Sequence, residues 1–324
     1  MFLRSSSIGS FRQCEHKFLG EYVIGFTGKT GAAACQGNCV HKVLEGLGHR
    51  KLCQQNGTTH FNDDLLGNVR AEDCTPEWLI PRVIDAYSRL EPHLTFDKSV
   101  VTLIEKLVNK TLTYNDGAFN PLTMTIVHPE LPFDIEIDKP WAYYDYEFKG
   151  EKIQGFLRIK GTMDLIAEES PNVYHMYDWK SGRMSNWATG KEKNFDNLQY
   201  DDQLLLYYYA LRTLFPHLKQ IIVTIFFIKH QPFTMCFDDR HYIRAEKMIK
   251  SVFEQIKSIE IPALNVNFRC KWCPLYAQFN NTSKSICQTI RESVLQDGLQ
   301  KTTEKYIQRE LGAYGQGGGR GQKS

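Results

Sequence analysis

Apolar side chains recur at two spacings along this chain, and the changes of spacing mark its elements. Ser5-Ser6-Ser7 is a helix-start signal, followed by Ile8, Phe11, Phe18, Leu19 and Tyr22 at loosely helical intervals. Residues 25–31 read as a loop and 32–47 as a second helix, in which His41 and Glu45 share a face. A polar, turn-rich stretch over 48–75 leads into a helical pattern over 76–115. Strand character begins near 124–127, returns at 142–148, and continues through Ile153, Phe156, Leu157 and Ile159 to Leu165 and Ile166. The cluster Glu168-Glu169-Ser170-Pro171-Asn172 is a turn, and Val173, Tyr174, Met176 and Tyr177 resume the strand, so the spacing predicts a hairpin. Beyond a loop at 181–195, residues 198–214 read as a long helix and 221–228 as a buried strand of β-branched and aromatic residues. Helical patterns follow at 244–259 and 288–311. Residues 312–324 are Gly-rich, with Arg320 and Lys323 and no acid, and read as a disordered basic tail. There are no internal repeats.

The predicted hairpin carries the most informative chemistry. Asp164 and Asp178 flank it, and Lys180 follows Asp178 at i+2. Side chains at i and i+2 of a strand share a face, so Asp178 and Lys180 point one way and Trp179 the other. Asp164, on the neighbouring strand, can face them. Converging oxygen ligands beside a positive group suit a hard cation and a water to be activated. Taken alone, a surface Asp/Lys pair on an ordinary hairpin explains the same residues.

Composition narrows the setting. Apolar content of 42% and charged content of 23% are those of a globular protein with a sizeable core. No apolar run approaches a membrane span, and the first residues lack the apolar core of a signal peptide, so the expectation is a cytoplasmic protein without membrane partners. The net charge of +2 decides nothing about nucleic acid, but its distribution does. Lys149, Lys152, Arg158 and Lys160 precede the Asp/Lys motif, and Lys180, Arg183, Lys191 and Lys193 follow it, with Trp187 among the second group. A basic rim with an aromatic beside carboxylates suits a polyanion held over a metal, and makes Arg183, Trp187 and Lys191 candidate nucleic-acid contacts.

Two further groups add weight. Of nine cysteines, Cys270 and Cys273 stand at a chelating spacing on a turn ending in Pro274. Zinc or an iron–sulfur cluster needs two more thiolates; Cys287 is nearest, and the fourth is either Cys14 or one of Cys35 and Cys39. His41 is a third candidate metal ligand if its helix reaches the hairpin. Gln203 and Tyr207 share a helix face one turn apart.

In order, these pieces resemble a RecB-like nuclease of the PD-(D/E)xK superfamily. The resemblance is nearest in kind to its iron–sulfur members: exonuclease V, the AddB nuclease domain and the CRISPR-associated RecB-like exonucleases. It rests on Ser6-Ser7-Ile8-x2-Phe11-x2-Cys14-x3-Phe18, Gly37-x3-His41-x3-Glu45, Gly161-x2-Asp164, Asp178-Trp179-Lys180-Ser181-Gly182, Gln203-x3-Tyr207, and Cys270-x2-Cys273-Pro274 with Cys287. It implies an α/β fold with a central mixed sheet flanked by helices and a helical insertion at about 48–120. A nuclease domain would span 1–295, leaving 296–324 as a helix end and tail. His41, Asp164, Asp178 and the Trp179 carbonyl would bind Mg²⁺ or Mn²⁺, and Lys180 would orient the attacking water. Gln203 and Tyr207 would support the catalytic site. Cys14, Cys270, Cys273 and Cys287 would hold a [4Fe–4S] cluster joining the chain's start to its end, with zinc as the alternative.

The implied function is metal-dependent hydrolysis of DNA, exonucleolytic and preferring single strands, in repair, recombination or replication. The setting is the cytoplasm, or a host cytoplasm for a phage-encoded protein. The chain contains no G-x4-G-K-[ST] ATPase signature, so a helicase would be a separate partner. The alternatives are a structure-specific endonuclease on the same fold and a non-catalytic, cluster-stapled DNA-binding subunit.

Overall fold

In the computed structural model, the Asp178–Lys180 motif ends the central strand of a five-stranded sheet. The structure describes residues 1–185, 192–280 and 282–307. The strands run in the order Pro232–Phe237, Gln220–Phe227, Val173–Lys180, Leu165–Ser170, Ile126–His128. Val173–Lys180 pairs antiparallel with Leu165–Ser170, with Tyr177 opposite Leu165, across a turn in which Asn172 takes the left-handed conformation at φ 64. On its other side it pairs parallel with Gln220–Phe227, from Val173 opposite Gln220 to Lys180 opposite Phe227. A parallel pair needs a crossover, and the helix Asp202–Leu214 supplies it. The sheet is therefore mixed, as the resemblance implied.

Alternation along the motif strand sorts its side chains. Tyr177 and Trp179 join Phe226 and Leu165 in one core with Val40, Val43 and Leu47 of the helix Ala32–Asn56. Helices Pro76–Leu90 and Lys98–Thr113, capped by Thr75 and Asp97, complete that layer. Trp179 is 1% exposed, and burying so large a ring contributes roughly 4 kcal/mol at 25 cal/mol per Å². The opposite face, with Asp178, lies under the Asp202–Leu214 helix. The helical pattern at 76–115 is two helices, broken where Pro92 and the polar residues near it interrupt the apolar spacing. The segment before them also carries a small hairpin, His60–Asp63 with Gly67–Arg70. Residues 198–214 are likewise split: Phe195–Leu198 is a short turn, and Asp201 caps the longer helix through Gln203 N–H.

By contacts the chain divides into two units. The one just described comprises Thr30–Pro132 and Thr162–Tyr242. The other comprises Met1–Lys29, Phe133–Gly161 and the chain from Ile243 on. In this second unit Phe2 and Leu3 pair parallel with Arg158 and Ile159. Tyr143–Phe148 and Glu151–Phe156 form a hairpin. The chain's start meets its end through hydrogen bonds: His16 N–H to the Ala263 carbonyl (3.1 Å), Asn265 Nδ2 to the Gln13 carbonyl (3.0 Å), and His16 Nε2 to the Cys287 carbonyl (3.0 Å). Among the described residues no helix is long and apolar enough to cross a membrane.

Candidate active site

Asp164 lies at the bend between the strands Arg158–Met163 and Leu165–Ser170, in register with Asp178. Backbone pairing stops at Leu165, and the Asp164 side chain extends it: Oδ2 accepts the Trp179 N–H at 2.7 Å. The N–H and C=O of one strand residue point to the same edge, so the Trp179 carbonyl also faces Asp164. His41 Nδ1 is 3.3 Å from Asp164 Oδ1. The Lys180 ammonium is 2.7 Å from Asp178 Oδ2. Gln203 Nε2 donates to Asp178 Oδ1 at 3.0 Å and to the Tyr207 hydroxyl at 2.9 Å. Six residues singled out from sequence thus meet at one place within one unit, and Trp179 brings its backbone.

Burial divides their electrostatics. The Asp178 side chain is 1% exposed, whereas His41 and Lys180 keep 33% and 30% exposure, so the carboxylate is the floor of a site open to solvent. Burial, with Asp164 adding to it, pushes the Asp178 carboxyl up to about 6 despite Lys180. Burial is the largest influence on Lys180 and His41 and opposes their charge, but the neighbouring carboxylates together (Asp178 and Asp164) outweigh it, so Lys180 and His41 are both raised. Asp164 goes the other way: burial is overcome by His41, Lys180 and the Trp179 N–H together, and its carboxyl is lowered. Asp178 Oδ2 accepts no well-directed hydrogen bond among the described residues, even with the ammonium close by.

The position of His41 depends on a contact that sequence reasoning did not identify. A Cβ at Gly37 would lie 2.7 Å from Ser181 Oγ. With glycine at 37 the Ser181 hydroxyl can lie against the helix at the end of the motif strand, where a larger residue would make that hydroxyl turn away, and His41 follows one turn later. Two carboxylate features were also missed. Glu45, Asp63 and Asp64 bring their oxygens within 4.8 Å of one another, but Lys42 already pairs with all three, at 2.9, 2.9 and 2.5 Å. A cation there would have to displace that ammonium. Glu130 has its carboxyl pushed up to about 7, by burial first and by Glu45 and Asp164 after it. Because its side chain is exposed by area, the neighbouring carboxylates are the firmer cause. A lone Glu after Pro129 carried no sequence signal.

Of the expected basic rim, four residues have acidic partners. Arg158 and Lys160 are ion-paired with Asp134, Lys152 with Asp145 and Lys193 with Asp201. Arg183 is exposed, and Trp187 and Lys191 lie outside the described residues. Of the tyrosine run, Tyr207 faces the site, Tyr208 packs edge-on to Phe237 and Tyr209 stacks on Tyr242 at 4.9 Å.

The cysteines sort between the units. Cys35 and Cys39, 1% and 0% exposed, sit in the apolar core behind the sheet, and burial, with Cys35 beside it, pushes the Cys39 thiol up to about 12. Cys14, Cys270, Cys273 and Cys287 are half-buried together in the other unit. The Cys287 thiol is pushed up to about 11 by burial and then by Cys273, Cys14 and Cys270. Backbone N–H groups reach two of them: Asn267 N–H points at Cys270 Sγ (3.4 Å), and the Leu275 N–H partly offsets the burial that raises the Cys273 thiol. Tetrahedral zinc at its usual Zn–S length would bring the sulfurs to about 3.8 Å. No three of these four lie within 4.8 Å of one another.

A family model described as the PD-(D/E)XK nuclease superfamily matches residues 5–278. Among solved structures, a candidate exonuclease from Eubacterium rectale is similar at 13% identity and a TM-score of 0.43, over 89% of this chain and 92% of that one. No curated protein matches the chain.

Proposed function

The chain belongs to the PD-(D/E)XK nuclease superfamily, and on that premise we propose that it is a RecB-like, cluster-stapled DNA exonuclease that prefers single strands. The observation that carries the reading is the convergence of the buried Asp178 carboxylate, ion-paired with Lys180 at 2.7 Å, with Asp164 and His41. This donor set of two carboxylates, a carbonyl and an imidazole fits Mg²⁺ or Mn²⁺. His41, Asp164, Asp178 and the Trp179 carbonyl would hold the ion, which supplies charge neutralisation at the phosphate and a more acidic water.

The chain's own residues do the rest. Gln203 fixes Asp178 by its Oδ1, leaving Oδ2 directed at the site, and Tyr207 fixes Gln203. Lys180, held protonated, donates to the attacking water or a phosphate oxygen rather than abstracting a proton, and its charge opposes the negative charge that builds in the transition state. His41 Nδ1, which faces Asp164 Oδ1 at 3.3 Å, can act as a ligand in the unprotonated imidazole. Cys14, Cys270, Cys273 and Cys287 would hold a [4Fe–4S] cluster with a structural role.

The choice of exonuclease follows the resemblance to iron–sulfur RecB-like exonucleases. With Mg²⁺, end-labelled linear single-stranded DNA is expected to be degraded to short products, duplex more slowly, and a single-stranded circle not at all. A cut circle moves the reading to an endonuclease; no degradation with either Mg²⁺ or Mn²⁺ leaves a binding subunit. The setting proposed is DNA repair, recombination or replication, with a separate helicase exposing the strand.

Gly37 provides a second test. Gly37→Ala is expected to lower cleavage by about ten- to a hundredfold by pushing His41 off its place. Ser181→Ala in the same chain should restore most of it, because Ser181 Cβ is 3.9 Å from the added methyl. Absence of rescue in single-turnover cleavage would remove the contact from the account.

A further inference from the structure

The turn that carries Cys270 and Cys273 also displays much of the protein's apolar surface. Among the described residues fourteen large hydrophobic side chains are exposed, and six of them fall between Ile261 and Tyr276. The turn has two sides. Arg269 and Leu275 point inward, 8% and 1% exposed, beside the half-buried cysteines. Phe268, Trp272 and Tyr276 point outward, 68%, 57% and 63% exposed. So concentrated a patch of exposed rings marks an interaction surface.

Its charge indicates the partner. Between Glu260 and Glu292 the chain holds no Asp or Glu and four cations; Arg269 points inward, Lys284 is ion-paired with Glu292 at 2.5 Å and Arg291 donates to the Pro262 carbonyl, which leaves Lys271 as the exposed cation beside the rings. Glu15, which approaches this stretch, is engaged by the Ala263 N–H at 2.7 Å. The Lys271 ammonium sits 4.1 Å from the centre of the Trp272 ring, and Phe268 meets that ring edge-on at 6.1 Å. Three exposed rings around an exposed lysine, in a segment without acids, match a strand of stacked bases on a polyanionic backbone. An apolar protein partner would make no use of Lys271.

We propose that Phe268, Trp272 and Tyr276 form a base-stacking platform for single-stranded DNA, with Lys271 meeting the backbone phosphates. The choice of DNA rests on the nuclease reading above; the platform itself rests on the rings and the charge.

The test uses the full chain and labelled oligo(dT), followed by fluorescence anisotropy without divalent metal so that nothing is cut. Trp272→Ala and Tyr276→Ala are each expected to raise Kd about tenfold. Trp272→Phe should hold Kd within about threefold while removing part of the tryptophan quenching that accompanies binding. Lys271→Gln should lower the slope of log K against log salt by about 0.7. Visible absorbance and melting temperature, unchanged in each variant, show that the turn is intact. In cleavage of linear strands the loss should fall on KM rather than kcat.

Unchanged affinity in both alanine variants overturns the platform, whatever the cleavage assay shows. So does self-association of the wild type that these variants abolish without loss of oligo(dT) binding, which would assign the patch to a second copy. If the wild type cuts no DNA yet the ring variants still lose binding, the nuclease reading fails and the platform stands.

Discussion

Asp178→Asn is expected to lower Mg²⁺-dependent cleavage of single-stranded DNA by roughly a thousandfold or more. Asparagine keeps the shape of the side chain and can still accept from Gln203, so the floor of the site persists. What is lost is the charge, and with it both the proposed ligand and the partner that holds Lys180 in place at 2.7 Å. Lys180→Ala should be nearly as damaging for a different reason. It leaves Asp178 buried without its cation, which raises an already elevated carboxyl further, and removes the positive group opposite the scissile phosphate. The measurement is cleavage of end-labelled strands by purified protein, with circular dichroism melting to show that each variant is folded. Wild-type activity in either variant would end the assignment of this site.

Cys273→Ser is expected to remove the visible absorbance of anaerobically purified protein and to lower its melting temperature by more than about 10 °C. Structural metal sites contribute folding free energy on the order of 10 kcal/mol in small domains, and even a fraction of that shifts the midpoint this far. The four cysteines come from distant segments. Cys14 is on the first turns of the chain, Cys270 and Cys273 on a late turn, and Cys287 on the helix Ile286–Asp297. The chain around them is packed tightly: a Cβ at Gly20 would collide with the Leu275 side chain. A colourless protein with stoichiometric zinc would refute the cluster, as would a serine variant that melts like the wild type.

Much of the site was legible because its logic is local. The two-residue period of a strand put Asp178 and Lys180 on one face and Trp179 on the other, and Trp179 is indeed in the core. The four-residue reach of a helix put Gln203 and Tyr207 side by side, and they share a hydrogen bond. Charge was less legible. Clustered basic residues at 149–160 looked like a rim, but Asp134 and Asp145 pair with three of them, and pairing across strands does not show in linear composition. The acidic group of Glu45, Asp63 and Asp64 was invisible for the same reason, since a hairpin brings the two Asp residues to a helix that precedes them.

By itself, the sequence determined the main helices and strands but not their breaks, the faces of the motif strand and of the Gln203 helix, and the spacing of the paired cysteines. Each follows from backbone periodicity within a few residues. Tertiary structure decided which distant residues complete those sets. Asp164 meets Asp178 because it stands at the bend where backbone pairing stops. His41 reaches Asp164 from the helix turn that follows Gly37, where the Ser181 hydroxyl lies against the helix. Cys14, rather than Cys35 or Cys39, joins the late cysteines because the core behind the sheet claims the other two. Those outcomes depend on crossovers and close packing between segments far apart in the chain, which no local period encodes.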